Sequence, residues 1–208
     1  MCNRPEAYIQ SKDVAWASIN TTFDVEELKL FCQDVERLFR INPMLNFRKW
    51  QVLGPHCYRF SGQNVSQTVP FDFDLVMTVR QINDGVKIDY QHGLKTSTFV
   101  IIEPVEGNAP WRTRLTIIDN YNAASQRVQR QQLHTVDKSI TVWAEHLQRY
   151  LHSWQQWSHI APWRWYMQKV WQPMKPAGRR ITYILLWVAG VEFSLILFGM
   201  VIYYLENR

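Results

Sequence analysis

The chain has 208 residues, 47% hydrophobic and 20% charged, with 23 Lys+Arg against 18 Asp+Glu and a sequence pI of about 9.2. Acidic and basic side chains balance over residues 1–145 and no acid lies between Glu145 and Glu192, so the +5 excess sits wholly in the C-terminal third. This argues against nucleic acid as a partner, because such a protein carries its basic face on the folded domain, while Cys2, Cys32 and Cys57, odd in number and unpatterned, exclude a disulfide framework and fit a reducing compartment.

The first residues, MCNRPEAYIQSKD, hold no apolar core of a signal peptide, so residues 1–13 are expected to be a tail with no cleavable leader. Val14 to Phe23 alternates and is rich in Ile, Thr and Phe, which predicts a first strand. Asp24, with Glu27 three residues on, predicts a helix start. Val25, Leu28, Phe31, Cys32, Val35, Leu38 and Phe39 then recur at helical spacing until Asn42-Pro43. The outer face of that helix carries Glu26, Lys29, Asp34, Glu36, Arg37 and Arg40, the pattern of a solvated surface.

From Leu45 to Tyr121 short alternating or apolar runs are separated by turn signals, which predicts an antiparallel sheet. The expected strands are Asn46 to Leu53, Cys57 to Asn64, Phe71 to Gln81, Val86 to Gln91, Lys95 to Pro104 and Trp111 to Tyr121. The third is the clearest: Phe71, Phe73, Leu75, Met77 and Val79 share one face, and Asp72, Asp74, Thr78 and Arg80 share the other. Trp111, Thr113, Leu115 and Ile117 form a similar stripe. A long helix from about Ala123 to Trp157 presents Leu133, Val136, Ile140, Trp143, Leu147, Tyr150, Trp154 and Trp157 as its apolar face, suited to packing on that sheet.

One strand, a helical region, six antiparallel strands and a long helix, with the helix-to-strand passage FRINPMLNFRKW at Phe39–Trp50, resembles the START-like helix-grip superfamily. This group is also known as SRPBCC, or polyketide cyclase/dehydrase and lipid transport proteins. The resemblance spans roughly Val14 to Trp157. It implies an α+β helix-grip fold, an antiparallel sheet of about seven strands wrapped on the long helix, and an elongated apolar cavity for a hydrophobic small molecule. On this sequence the walls of that cavity are expected to be Phe71, Phe73, Leu75, Met77, Val79, Trp111 and Leu115 on the sheet and Val136, Ile140, Trp143 and Leu147 on the helix.

The segment 158–180 that follows is dominated by tryptophan and basic residues. Trp157, Trp163, Trp165 and Trp171 alternate with Arg164, Lys169, Lys175, Arg179 and Arg180, a composition suited to lying at a membrane interface. Pro162 is expected to open a short helix with Trp163, Tyr166, Met167, Val170 and Trp171 on one face. The alternative is that these aromatics complete the core of the soluble domain.

Ile181 to Leu205, ITYILLWVAGVEFSLILFGMVIYYL, contains one charged residue, Glu192. At about 1.5 Å per residue this run exceeds the ~30 Å hydrocarbon core of a bilayer, so it predicts a single transmembrane helix. Only Glu206, Asn207 and Arg208 follow, which makes the chain an expected tail-anchored protein with residues 206–208 as its tail. Lys169, Lys175, Arg179 and Arg180 before the span, against Arg208 after it, place the soluble domain in the cytoplasm and the C-terminus outside it. Glu192 near mid-span is costly to insert unless it meets a partner or a proton, so an intramembrane contact with another membrane protein or a second copy is expected of it. Gly190, Ser194 and Gly199 permit close helix approach there.

Catalytic patterns are thin. The six histidines are scattered, and HExxH, HxH, GxSxG, GxGxxG and GxxxxGK[ST] do not occur, so the sequence supports no catalytic residue, metal ligand set or cofactor. Two functions follow: a membrane-anchored module that binds or transfers a hydrophobic ligand (a lipid, an isoprenoid or similar), with membrane lipids as further partners, or an accessory or assembly subunit docking through its span. A cyclase-type enzyme is the weaker third.

Overall fold

The computed structural model describes Tyr8 and residues 14–67, 69–93, 95–107, 110–121 and 126–207, with the main chain alone over 126–138. Strand β1 (Val14–Thr21) leads into helices α1 (Val25–Gln33) and α2 (Val35–Arg40). Strands β2 (Leu45–Gly54), β3 (Cys57–Asn64), β4 (Phe71–Ile82), β5 (Gly85–Tyr90), β6 (Lys95–Pro104) and β7 (Thr113–Tyr121) follow, and then the long helix α3 (Gln126–Trp157). The strands form one antiparallel sheet in the order β1-β7-β6-β5-β4-β3-β2. Because β1 and β2 sit at opposite edges, the chain between them must cross the sheet's concave face. The helices α1 and α2 make that crossing, α1 against β5 and β6 and α2 against β2, while α3 runs along β1. The result is an α+β helix-grip fold.

Alternation in β4 works as expected: Met77 and Val79 are buried, while Asp72, Asp74 and Arg80 are exposed on the other side. The inner face joins Leu28, Cys32, Leu38, Ile88, Leu115, Ile117, Ile140, Trp143 and Leu147 into one core. Burying each large apolar side chain there stabilises the fold by about 1.5–3 kcal/mol. A second, smaller cluster lies on the outer face, where Phe99, Ile101 and Ile118 are covered by Tyr8, Val14, Trp16 and Ile82. This explains why β6 and β7 are apolar on both faces.

Two glycines permit close strand approach. At Gly85 φ is +152°, and a Cβ there would lie 1.9 Å from the Val100 carbonyl oxygen. At Gly62 it would lie 2.3 Å from the carbonyl oxygen of Asn46, beside the register shift between β2 and β3.

The early helical region is two helices where periodicity predicts one. Asp34 leaves the helical conformation, with φ −78° and ψ 76°, and its carboxylate accepts from the Arg37 main-chain N–H at 3.0 Å. A short acidic side chain that caps locally competes with the helix's own hydrogen bonds. The break turns Arg37 inward, so a residue expected on the solvated face is 9% exposed. Its guanidinium lies 3.8 Å from the Trp154 ring centroid and its Nε donates to Tyr150 Oη at 2.9 Å.

Cys32 on α1 is fully buried, which pushes its thiol up to about 12, whereas Cys57 is half-buried. Since the thiolate is the reactive form, iodoacetamide at about pH 8 is expected to modify Cys57 and spare Cys32 until the protein is denatured. Site-resolved mass spectrometry checks this. Equal native labelling of both would mean that α1 does not dock as described.

Candidate functional site

Between the inner face of β3–β5 and helix α3 lies a cavity of about 370 Å³. Its apolar walls are Phe39, Phe60, Phe71, Phe73, Leu75 and Trp143, and exposed His92 and Gly93 lie on its rim. The aromatic wall is continuous: Phe60 packs 5.5 Å from both Phe39 and Phe73, and Phe39 packs 5.4 Å from Trp143, measured between ring centroids. Trp143 Nε1 donates to the Leu38 carbonyl at 3.2 Å, which satisfies its polar atom and fixes the indole plane.

Tyr90, Lys95 and Tyr121 add a polar patch to the same cavity. They surround Asp119, which is 1% exposed. Its carboxylate accepts from Lys95 Nζ at 2.5 Å and from Thr98 Oγ1 at 2.5 Å, and more weakly from Tyr121 Oη at 3.5 Å. Tyr90 Oη shares a hydrogen bond with Thr98 Oγ1 at 3.0 Å. Strand register builds the cluster, because β6 and β7 set Thr98 opposite Asp119 and Lys95 opposite Tyr121. Burial, and then the Asp119 carboxylate, push the Tyr90 phenol far above its ordinary value, so it stays protonated and serves as a neutral donor and acceptor. An ammonium carries three donors. The patch therefore suits a hydroxyl or carbonyl at one end of an otherwise apolar molecule.

Of the residues expected to form the cavity, Phe71, Phe73, Leu75 and Trp143 line it. Met77, Val79, Leu115, Ile140 and Leu147 are buried in the adjoining core. Trp111 precedes β7 and is 38% exposed, away from the cavity, and the side chain of Val136 lies outside the described residues. Sequence reasoning missed the Asp119 cluster. Its signal is an aspartate inside the apolar run Leu115–Tyr121, where a charge is costly unless paired.

The outward pair Asp72 and Asp74 is exposed and held in ion pairs, not buried as an acid–base pair. Arg48 binds Asp72 through two nitrogens at 2.9 and 3.0 Å, and Arg59 binds Asp74 at 3.0 and 2.7 Å. The Arg59 hydrogen bond holds the Asp74 carboxyl below its ordinary value. Both pairs are solvent-exposed: Arg59–Asp74 joins the neighbouring strands β3 and β4, and Arg48 reaches from β2 across β3 to Asp72 on β4. Among the described residues no three His, Cys, Asp or Glu side chains converge to hold a metal ion.

Beyond α3 the chain forms α4 (Ala161–Tyr166), with Pro162 in its first turn, a π-helical turn at Met167–Trp171, and α5 (Pro176–Glu206). Met167 is buried, and Trp163, Tyr166 and Trp171 pack against the core. Trp163 lies 5.5 Å from Trp154, and Trp171 lies 5.3 Å from Tyr150, between centroids. Trp157, Arg164, Trp165, Lys169, Lys175 and Arg180 are exposed. Arg179 is part-buried and stacks 3.9 Å from the Trp171 centroid. The segment thus divides its aromatics between the domain core and the protein surface. Helix α5 is long and apolar enough to cross a membrane, and none of its apolar window is buried. Glu192 lies exposed along it, near Ser194, whose Oγ donates to the Gly190 carbonyl at 2.8 Å.

No family model matches the sequence, and no curated protein does. Among solved structures, a conserved protein from Geobacillus kaustophilus is similar over 68% of this chain and 96% of its own, at 16% identity and a TM-score of 0.50. The protein TTHA0849 from Thermus thermophilus is similar over 67% of this chain and 97% of its own, at 12% identity and a TM-score of 0.48. The Polyketide_cyc-like protein Cgl2372 from Corynebacterium glutamicum is similar over 74% and 99%, at 17% identity and a TM-score of 0.43. The Geobacillus likeness establishes the fold alone.

Proposed function

We propose that the protein is a single-pass, membrane-anchored START-like module that binds or transfers a hydrophobic ligand at the cytoplasmic face of a membrane. The observation that carries this is the cavity: aromatic and aliphatic walls with one hydrogen-bonded polar patch at Tyr90, Lys95 and Tyr121. Ligand pockets combine an apolar lining with a few placed polar groups in this way. The anchor is α5. Leu185, Trp187, Phe193, Leu195 and Phe198 on it are each 62–65% exposed, a burden of apolar surface that water penalises and lipid does not. At about 1.5 Å per residue its 31 residues outreach a hydrocarbon core of ~30 Å. A cavity tethered beside the bilayer draws its ligand from a source where apolar molecules are concentrated.

A second reading, an accessory or assembly subunit of a membrane complex, is favoured by Glu192. It lies on an exposed helix face with Gly190 and Ser194 close by, where a partner helix is able to approach. Gentle purification followed by mass spectrometry of extracted lipids separates the two. A defined co-purifying hydrophobic molecule supports binding, whereas a stoichiometric protein partner with no such molecule supports assembly. Orientation is checked by a reporter fused after Arg208, expected outside the cytoplasm. Cytoplasmic labelling of that reporter would reverse the topology.

A further inference from the structure

Where the domain meets α5 there is a second cleft, of about 590 Å³, apart from the ligand cavity. Helix α3 contributes His146, Arg149, Tyr150 and Ser153, and Trp163, Tyr166 and Trp171 wall the opposite side. Arg179 lines it too, followed by Tyr183 and Leu186. These last two belong to the first turns of the expected span, so the cleft runs from a cationic head directly onto apolar helix surface.

The cationic head is short of counter-charge. Arg179 donates from Nε to the Trp171 carbonyl at 3.0 Å, from one terminal nitrogen to the Arg40 carbonyl at 2.6 Å and from the other to the Gln172 carbonyl at 2.9 Å. Neutral carbonyls orient the guanidinium, and no carboxylate among the described residues pairs with it. Behind the wall formed by Tyr150 stands buried Arg37, which makes no ion pair among the described residues and leaves Nη2 without a hydrogen-bond partner. Arg149 meets Glu145 at 3.6 Å with both side chains exposed, a loose contact that an anion is able to outcompete. Burial, and then Arg149 and Arg180, lower the His146 pKa; Glu145 opposes them, and Arg179 adds the smallest lowering effect. The imidazole thus sits in a positive field.

We propose that this cleft binds one anionic phospholipid, its phosphate held near His146, Arg149 and Ser153 within the field of Arg179 and its acyl chains laid along Tyr183 and Leu186. The inference rests on the membrane anchoring proposed above. Charge complementarity selects an anion, and continuity with α5 selects one that carries hydrocarbon at the depth where the helix enters the bilayer. Such a lipid orients the domain on the membrane as well as tethering it. The aromatic walls fit this arrangement, since Trp and Tyr favour the boundary between headgroups and acyl chains.

The test is native mass spectrometry of the full-length protein in detergent, titrated with phosphatidylglycerol, with phosphatidylcholine of the same chains, or with inorganic phosphate. Wild type is expected to retain one phosphatidylglycerol roughly tenfold more tightly than phosphatidylcholine. The double variant His146→Gln with Arg149→Gln, both at positions that solvent reaches, should lose that preference. Lys169→Gln with Lys175→Gln, which changes the basic collar outside the cleft, should keep it. Equal binding of the two lipids, or equal loss in both double variants, would overturn the site and leave only diffuse attraction to the collar. Displacement of the lipid by inorganic phosphate at similar concentration would overturn the lipid as occupant. Co-sedimentation with carbonate-washed vesicles keeps the two proposals distinct: a protein that inserts yet shows no lipid preference sinks this inference alone, and one that fails to insert sinks both.

Discussion

Replacing Lys95 by Met is expected to cost the protein about 3–5 kcal/mol, because it leaves the buried Asp119 carboxylate without its counter-ion. The carboxylate is 1% exposed, the ammonium sits 2.5 Å away, and Thr98 and Tyr121 supply only neutral donors. For a chain of this size the loss corresponds to a fall in melting temperature on the order of 10 °C. The full chain in detergent, followed by near-ultraviolet circular dichroism, reports it. Adding Asp119→Asn removes the stranded charge while keeping an acceptor for Thr98, so the double variant should regain most of the loss. If Lys95→Met melts as wild type does, buried Asp119 does not depend on Lys95 as its counter-ion.

Trp143→Ala is the second large effect, at about 3–5 kcal/mol. Trp143 is 2% exposed on α3, touches Phe39 and closes one wall of the cavity between the sheet and α3. Truncation removes that packing, abolishes the bond to the Leu38 carbonyl and enlarges the cavity. The surviving folded protein is therefore expected to melt well below wild type and to accept a bulkier ligand analogue. A stability change under about 1 kcal/mol would mean that the sheet does not grip α3 at this point.

Periodicity carried much of this fold. The runs Cys57–Asn64 and Lys95–Pro104 are strands with those bounds, and the alternation of Phe71 to Val79 identifies the inner face before any pairing is known. The break at Asp34 was hidden because the apolar positions on either side of it keep helical spacing, and with it went the inward turn of Arg37. The Asp119 cluster was hidden for another reason. Lys95 and Asp119 are 24 residues apart, and only the β6–β7 register brings them together. The tryptophans after Ser158 divide between core and surface. Sequence shows their aromatic character, but bilayer interface and protein core reward the same side chains, so which residues are buried depends on how α4 and the turn after it fold back onto Trp154 and Tyr150.

The central claim is that the space beside β4 holds a hydrophobic ligand, and uptake of a fluorescent lipid analogue from donor vesicles tests it directly. Leu75 lines the cavity at a tight place, where a Cβ added to Gly93 would come within 2.8 Å of its methyl group. Leu75→Trp therefore fills the cavity from its wall while leaving every residue of the Asp119 cluster in place. Wild type should take up the analogue, and Leu75→Trp, verified as folded by its circular dichroism and melting, should take it up roughly tenfold less. Undiminished uptake by the folded variant would contradict a ligand site between the sheet and α3.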